Sequence, residues 1–251
     1  MTSDWYHDFF EGITLELWDK ACPIEQTRIE VGLIEKLLQP APDAKFLDVP
    51  CGFGRHTLEL LAKGYDVTAI DLANETTRRL KEESVRYGTS VRVMQKDMRN
   101  LGFESEFDFA YCLGNSFGYF NRQGTKDFFG SVAKALKPGG RFLLETGIAA
   151  ESLLPNLDER NWIRIDDILM LIENQYLVED SCLKTTYSFL KEGRRVETAI
   201  SYHFVFSVGE ISDMLRAVGL EPTSYSSGTD LEAYEVGSND LLLVAEKGDS
   251  R

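Results

Sequence analysis

No stretch of this sequence approaches the ~20 consecutive apolar residues that a membrane-spanning helix requires. Cysteine is scarce: Cys22, Cys51, Cys112 and Cys182, none of them in a C-x-x-C pair. Histidine is scarcer still, with His7, His56 and His203 far apart. A zinc site is therefore not expected, nor is a disulfide framework in a chain of 251 residues. Basic runs are missing as well. The chain carries 27 Lys and Arg against 41 Asp and Glu, a net charge of −14. Nucleic acid and anionic membrane need clustered cations, so neither is an expected partner. The opening residues MTSDWYHDFF are acidic and aromatic, without a basic start or an apolar core, so no secretory leader is expected and the cytoplasm is the expected compartment.

What is present is a rhythm. From Lys45 the chain alternates strand-like and helix-like segments. AKFLDVP, YDVTAIDL, SVRVMQKD, FDFAYCLG and RFLLET read as strands. GRHTLELLAKG, ending at Gly64, reads as a helix. So does NETTRRLKEESVRYG, capped by Asn74 and stopped by Gly88, and so does QGTKDFFGSVAKALKPGG. Such alternation implies an α/β fold with a doubly wound, largely parallel sheet, and the nearly continuous apolar strands agree with a sheet covered on both faces. The rhythm breaks after Thr146. Three extended segments, RIDDILMLIENQYLV, CLKTTYSFLK and RVETAISYHFVF, predict an antiparallel insert over 160–206. A helix, SVGEISDMLRAVG, and a last strand, NDLLLVAEK, then resume the first pattern. One domain over 1–251 is expected, with a helical cap over 1–40. In the cap, Pro23 suits a first helical turn and Ile29, Leu33, Leu37 and Leu38 share a face. Trp5, Tyr6, Phe9, Phe10 and Trp18 precede them, either packing over the sheet edge or forming a lid over a ligand.

The segment FLDVPCGFGRHT is a strand, a glycine-rich turn and a helix start. A dinucleotide fold needs G-x-G-x-x-G, yet Thr57 occupies the third glycine position, and a triphosphate loop needs a lysine that is absent. Asp48 would repel a pyrophosphate. It would attract a nucleoside with a cationic arm, and S-adenosylmethionine is such a ligand. Gly52 and Gly54 let backbone approach it. Asp71 ends the second strand, about 20 residues on, where doubly wound folds place a ribose-binding acid. Asp97 ends the third, placed to accept from an adenine amine, with the Met98 N–H as a donor. Three acids at successive strand ends lie on the edge where such sheets bind ligands.

Taken as a set, FLDVPCGFGRHT, VTAIDLA, QKDMRNL, FDFAYCLGNSFGYF and LKPGGRFLLET resemble the Rossmann-like, class I S-adenosylmethionine-dependent methyltransferases, over about Lys45 to Thr146. The resemblance implies a seven-stranded sheet whose last strand, NDLLLVAEK, is antiparallel. DMRNL, NSFGYF and the insert are most similar to small-molecule methyltransferases, such as sugar-amine N-methyltransferases. It further implies that Asp48, Pro50, Cys51, Gly52 and Gly54 line the methionine part and that Asp71 and Leu72 meet ribose and adenine. Asp97 and Met98 would hold the adenine edge, Leu113 would lie near the methionine arm, and Thr27 would reach the cofactor carboxylate. The Asn/Asp-Pro-Pro-aromatic signature of nucleic-acid amine methyltransferases is replaced by CLGNSFGYF. The expected activity is in-line methyl transfer to a small-molecule amine or hydroxyl, with S-adenosylhomocysteine as by-product. If a base is used, His203 is the first candidate and Tyr119 the second; His56 reads as a structural helix residue. Competing readings are a protein that binds the cofactor without methylating and, further off, a nicotinamide-dependent oxidoreductase. The insert either covers the sheet edge, floors the substrate pocket or pairs two copies, so a monomer or a homodimer is expected.

Overall fold

A computed structural model of the chain describes residues 4–86, 91–192 and 194–248. The cap comprises α1 (Tyr6–Phe9), α2 (Gly12–Ala21) and α3 (Ile24–Leu38). Then follow β1 (Lys45–Asp48), α4 (Arg55–Ala62), β2 (Asp66–Asp71), α5 (Asn74–Arg86), β3 (Arg92–Gln95), β4 (Phe107–Cys112), α6 (Arg122–Ala135) and β5 (Leu136–Thr146). After the short α7 (Ala150–Leu153) comes the insert: β6 (Arg160–Ile165), β7 (Ile168–Leu177), β8 (Cys182–Lys191) and β9 (Arg194–Phe204). The main sheet is completed by α8 (Val208–Arg216), β10 (Leu220–Ser227), β11 (Glu232–Ala233) and β12 (Leu241–Lys247).

The main sheet runs β11-β10-β12-β5-β4-β1-β2-β3. Strands β1 to β5 are parallel, and β12 is antiparallel to β5, as expected for the last strand. The two-residue β11 adds an eighth, marginal strand at the edge. The order reverses beside β1, and this crevice at the carboxyl ends of the strands is where open α/β sheets bind ligands. Helices cover both faces. Phe107, Phe128, Phe129 and Phe142 fill the layer under α6 and α8. Val31, Ile34, Leu38 and Leu60 fill the opposite layer under α3 and α4. Local chemistry agrees with these boundaries. The Asn121 side chain accepts from Gly124 N at 3.0 Å to cap α6, and Ser207 with Glu210 forms a capping box on α8.

Three expectations are refined. The insert has four strands, β6-β7-β8-β9, because Asp166 turns the chain at φ +51° and splits the first long segment. An Asp tolerates that conformation better than most residues. The buried stripe of α3 is Thr27, Val31, Ile34 and Leu38, while Ile29 is exposed. Helix α5 begins at Asn74, so Asn74 lies inside the first turn; the Gly88 stop falls outside the described residues. Among the described residues, no helix is long and apolar enough to cross a membrane.

Candidate functional site

A cavity of about 200 Å³ opens at the carboxyl ends of β1, β2 and β4. Its floor is the turn after β1. Gly52 N donates to Asp71 Oδ2 at 2.7 Å, and Ala73 N donates to Asp71 Oδ1 at 2.8 Å. Asp71 thus ties the glycine turn to the start of α5. Burial pushes its carboxyl up, and these backbone donors oppose the shift. Gly52 sits at φ +52°, and a Cβ there would meet no atom within 4 Å. That open side is a cradle into which a ligand fits against bare backbone. Gly54 has another task. At φ +75° it caps α4, and a Cβ would fall 2.4 Å from the Leu80 side chain. Its missing side chain lets α5 pack against the turn.

Asp48 does not line the cavity. Its carboxylate turns under α4, 2% exposed, and Thr57 Oγ1 donates to it at 2.6 Å. The Tyr111 hydroxyl lies beside it, fully buried and outside hydrogen-bonding geometry. Burial raises the Asp48 carboxyl to about 6, against the opposing pull of His56, Thr57, Tyr111 and Arg55. Thr27 is likewise behind the wall. Its hydroxyl accepts from Arg55 Nη1 at 3.2 Å. Arg55, the first residue of α4, is the group that faces the cavity there, and it pairs with Glu30. His56 Nε2 meets the same Glu30 at 2.6 Å. Burial alone would raise Glu30, but His56, Arg55 and Gln26 outweigh it and hold the carboxyl at about 2. Sequence reading passed over Arg55. Its signal is a cation directly after a glycine turn that also carries acids.

Pro50, Cys51, Leu72, Met98 and Leu113 line the cavity together with Gly52, Asp71 and Asp97. Asp97 is engaged by Arg99, which holds its carboxyl below the usual range against the effect of burial. The roof is aromatic. Tyr6 and Phe10 of the α1 region and Trp18 of α2 face the cavity with Tyr119 and Phe120. Tyr6 stacks on Tyr119 at 6.1 Å and 11°. Burial raises the Tyr119 hydroxyl, so it is a neutral donor at physiological pH. His203 lies one layer back and does not line the cavity. Its ring packs against Trp5 at 5.1 Å and Tyr119 at 5.4 Å. Burial lowers it to about 4, which keeps it neutral.

A methyltransferase-domain family profile matches residues 46–140, the stretch that builds this floor. Over 214 residues the chain is 27% identical to a cypemycin N-terminal methyltransferase from a Streptomyces species, covering 83% of this chain and 85% of that protein. Two solved structures share the fold. The CcbJ methyltransferase of Streptomyces caelestis aligns over 99% of this chain and all of its own, at TM-score 0.82 and 16% identity. The S-adenosylmethionine-bound amino pentose methyltransferase CalS10 of Micromonospora echinaspora covers 96% of this chain and 98% of its own, at TM-score 0.72 and 18% identity. The backbone cradle and strand-end acids suit S-adenosylmethionine, and the matched stretch is a methyltransferase domain, so the chain is an S-adenosylmethionine-dependent methyltransferase over residues 46–140.

Proposed function

We propose that this enzyme methylates the amine of a small molecule. The observation that carries this reading is that the acids and the imidazole on the cavity wall are already engaged. Asp71 accepts from two backbone amides, Asp97 from Arg99, and His56 pairs with Glu30. A hydroxyl acceptor needs a base, whereas an uncharged amine brings its own lone pair. The roof of Tyr6, Phe10, Trp18 and Tyr119 is suited to excluding water and to admitting a small acceptor beneath it. The similar protein at 27% identity is named for N-terminal methylation, and CalS10 for an amino pentose, which supports an amine.

S-adenosylmethionine supplies, when bound, a methyl group already activated on a sulfonium. The chain's own residues bind and orient. In this reading Arg55, steadied by Thr27 and Glu30, holds the amino-acid carboxylate. Asp48 contributes negative charge from beneath the turn. Pro50, Cys51 and Leu113 wall the methionine arm, and Gly52 offers bare backbone, with Gly54 holding the turn in shape. Asp71 accepts from the ribose, Leu72 and Met98 flank the base, and Asp97 accepts at its edge. Tyr119 positions the acceptor as a neutral donor, and His203 stiffens Tyr119 from behind. An acidic chain with exposed Trp162, Leu171 and Ile200 on the insert's outer face fits a cytoplasmic monomer or homodimer, with neither nucleic acid nor membrane as partner.

Transfer from labelled cofactor to a panel of amines, alcohols and carboxylates tests the reading. Amines are expected to accept. Transfer confined to alcohols or carboxylates would overturn it.

A further inference from the structure

The motif QKDMRNL contains a cation, Arg99, that the reading above uses only to engage Asp97. Arg99 follows Asp97 by two residues and folds back onto it. Its backbone N donates to Oδ1 at 2.8 Å. Its Nε is shared, donating to Oδ1 at 3.0 Å and to Oδ2 at 3.1 Å, while Nη2 donates to Oδ2 at 2.5 Å. The guanidinium carbon lies 4.4 Å from the centroid of Phe120, a buried ring on the cavity wall. Phe120 is in turn held edge-on by Tyr6 at 5.4 Å. The fork is therefore anchored on a fixed surface, and the carboxylate cannot rotate freely.

The geometry points to Arg99 as the positioning residue that sets which nucleobase edge the site accepts. A carboxylate offers about four lone-pair sites. Three N–H groups of Arg99 face it: two fill Oδ1, and Nη2 with the shared Nε crowds Oδ2, so at most one acceptor site, on Oδ2, is left for a ligand. An exocyclic amine satisfies that site. A carbonyl in its place would set two acceptors against each other and leave both unpaired, at a cost of about tenfold or more in affinity. A lysine could supply the charge but not the fork. This inference rests on the reading that Asp97 meets the base edge.

Calorimetry with S-adenosylhomocysteine and S-inosylhomocysteine tests it, the second probe having a carbonyl where the first has the amine. Wild type is expected to prefer the adenosyl probe about tenfold or more. Arg99→Gln is expected to lose most of that preference. Its adenosyl affinity should also fall more as the solution is acidified than wild type's does, because burial then raises the Asp97 carboxyl against only the residue-99 backbone donor and His7, without the guanidinium. Asp97 is also faced by His7 and Tyr6 of α1, with Asp4 beyond the guanidinium. Arg99→Lys is expected to keep the pH behaviour and lose the preference, and it serves if Arg99→Gln does not fold.

Equal weakening of both probes in the Arg99 variants would mean a merely structural role and overturn the inference. So would a preference retained in Arg99→Lys or in Arg99→Gln. Asp97→Asn separates the two layers. If it leaves both probes unaffected, the reading of Asp97 itself fails. If it removes the preference while the Arg99 variants keep it, only the role of Arg99 fails.

Discussion

The floor and the roof of the cavity are built on different principles. The floor is backbone and carboxylate: Gly52 and Ala73 amides on Asp71, Thr57 on a sealed Asp48, and Gly54 pressed against Leu80. Each bond there reaches into the main sheet's core. The roof is side chain on side chain. Ile13 and Leu17 of α2 pack on Ile168, Met170 and Phe189 of the insert, in a cluster separate from the main core. Aromatic edges, Trp5 on Tyr119 and Phe9 on Tyr187, close the rest. A floor of this kind is preorganised for its ligand, while the part of the roof formed by α2 and the insert has its own small core and can open without unfolding the sheet, although Tyr6 and Phe120 are tied to the main core. Damage to the floor should therefore appear in global stability, and damage to the roof in local opening and ligand exchange.

The sharpest break of that contrast is within the floor itself. Gly54→Ala combines a left-handed backbone with a Cβ 2.4 Å from Leu80, so a loss of about 3–4 kcal/mol is expected in denaturant unfolding. Gly52→Ala has the same backbone strain and no clash, so about 1 kcal/mol is expected, with a larger loss in cofactor affinity. Equal stability losses in the two variants would contradict the packing role assigned to Gly54.

Leu17→Ala probes the roof. Leu17 is fully buried, and truncation there costs about 2–3 kcal/mol of local packing. Hydrogen exchange should quicken in α1 and α2 and in the facing strands β7 and β8, and cofactor should dissociate faster. Amides of β1, β4 and β5 should exchange as in wild type. Faster exchange in those central strands would show that roof and floor unfold as one unit.

Asp48→Asn tests the sealed charge of the floor. Its folded carboxyl is raised to about 6 from an ordinary 3.8, so ionisation disfavours the fold. The sign follows: there is no penalty below about pH 4, the penalty grows as pH rises towards 6, and it is full above that, at about 2–3 kcal/mol. The variant should therefore melt higher than wild type at pH 8 and level with it near pH 4, while binding cofactor less well. A variant less stable than wild type at pH 8 would mean that the carboxylate is stabilising where it lies.

How much of this was legible in the residues depends on the distance to each partner. The strand ends carrying Asp71 and Asp97 are marked locally, by apolar runs that stop at an acid, and both residues do reach one cavity. Asp48 carries the same local mark yet faces under α4, because its side of β1 is covered by Thr57. Arg55 takes its role from Thr27 and Glu30, which come from a different helix. The place of His203 is settled by Trp5, at the other end of the chain. The extra insert strand was missed because a single Asp at positive φ interrupts an otherwise continuous apolar pattern. Periodicity reports which face a residue prefers. It does not report what will cover that face.

The smallest expected effect lies where roof and floor touch. Arg79 of α5 lies over the ring of Phe53 at 4.5 Å, and its Nη2 donates to Asp19 of α2 at 2.8 Å. One side chain thus grips the glycine turn with its face and the roof with its edge. Both partners are partly solvated, so the pair is worth at most about 1 kcal/mol and is screened by salt. Arg79→Ala and Asp19→Asn should each leave the melting temperature within a degree or two and speed cofactor release about two- to fivefold at low salt. The difference from wild type should shrink in about 0.5 M salt for Asp19→Asn, which removes only the ion pair. Arg79→Ala should keep part of its effect there, because the stacking on Phe53 is lost as well. If Asp19→Asn releases cofactor at the wild-type rate at low salt, the contact is only a surface pair, and the roof is held by its own core alone.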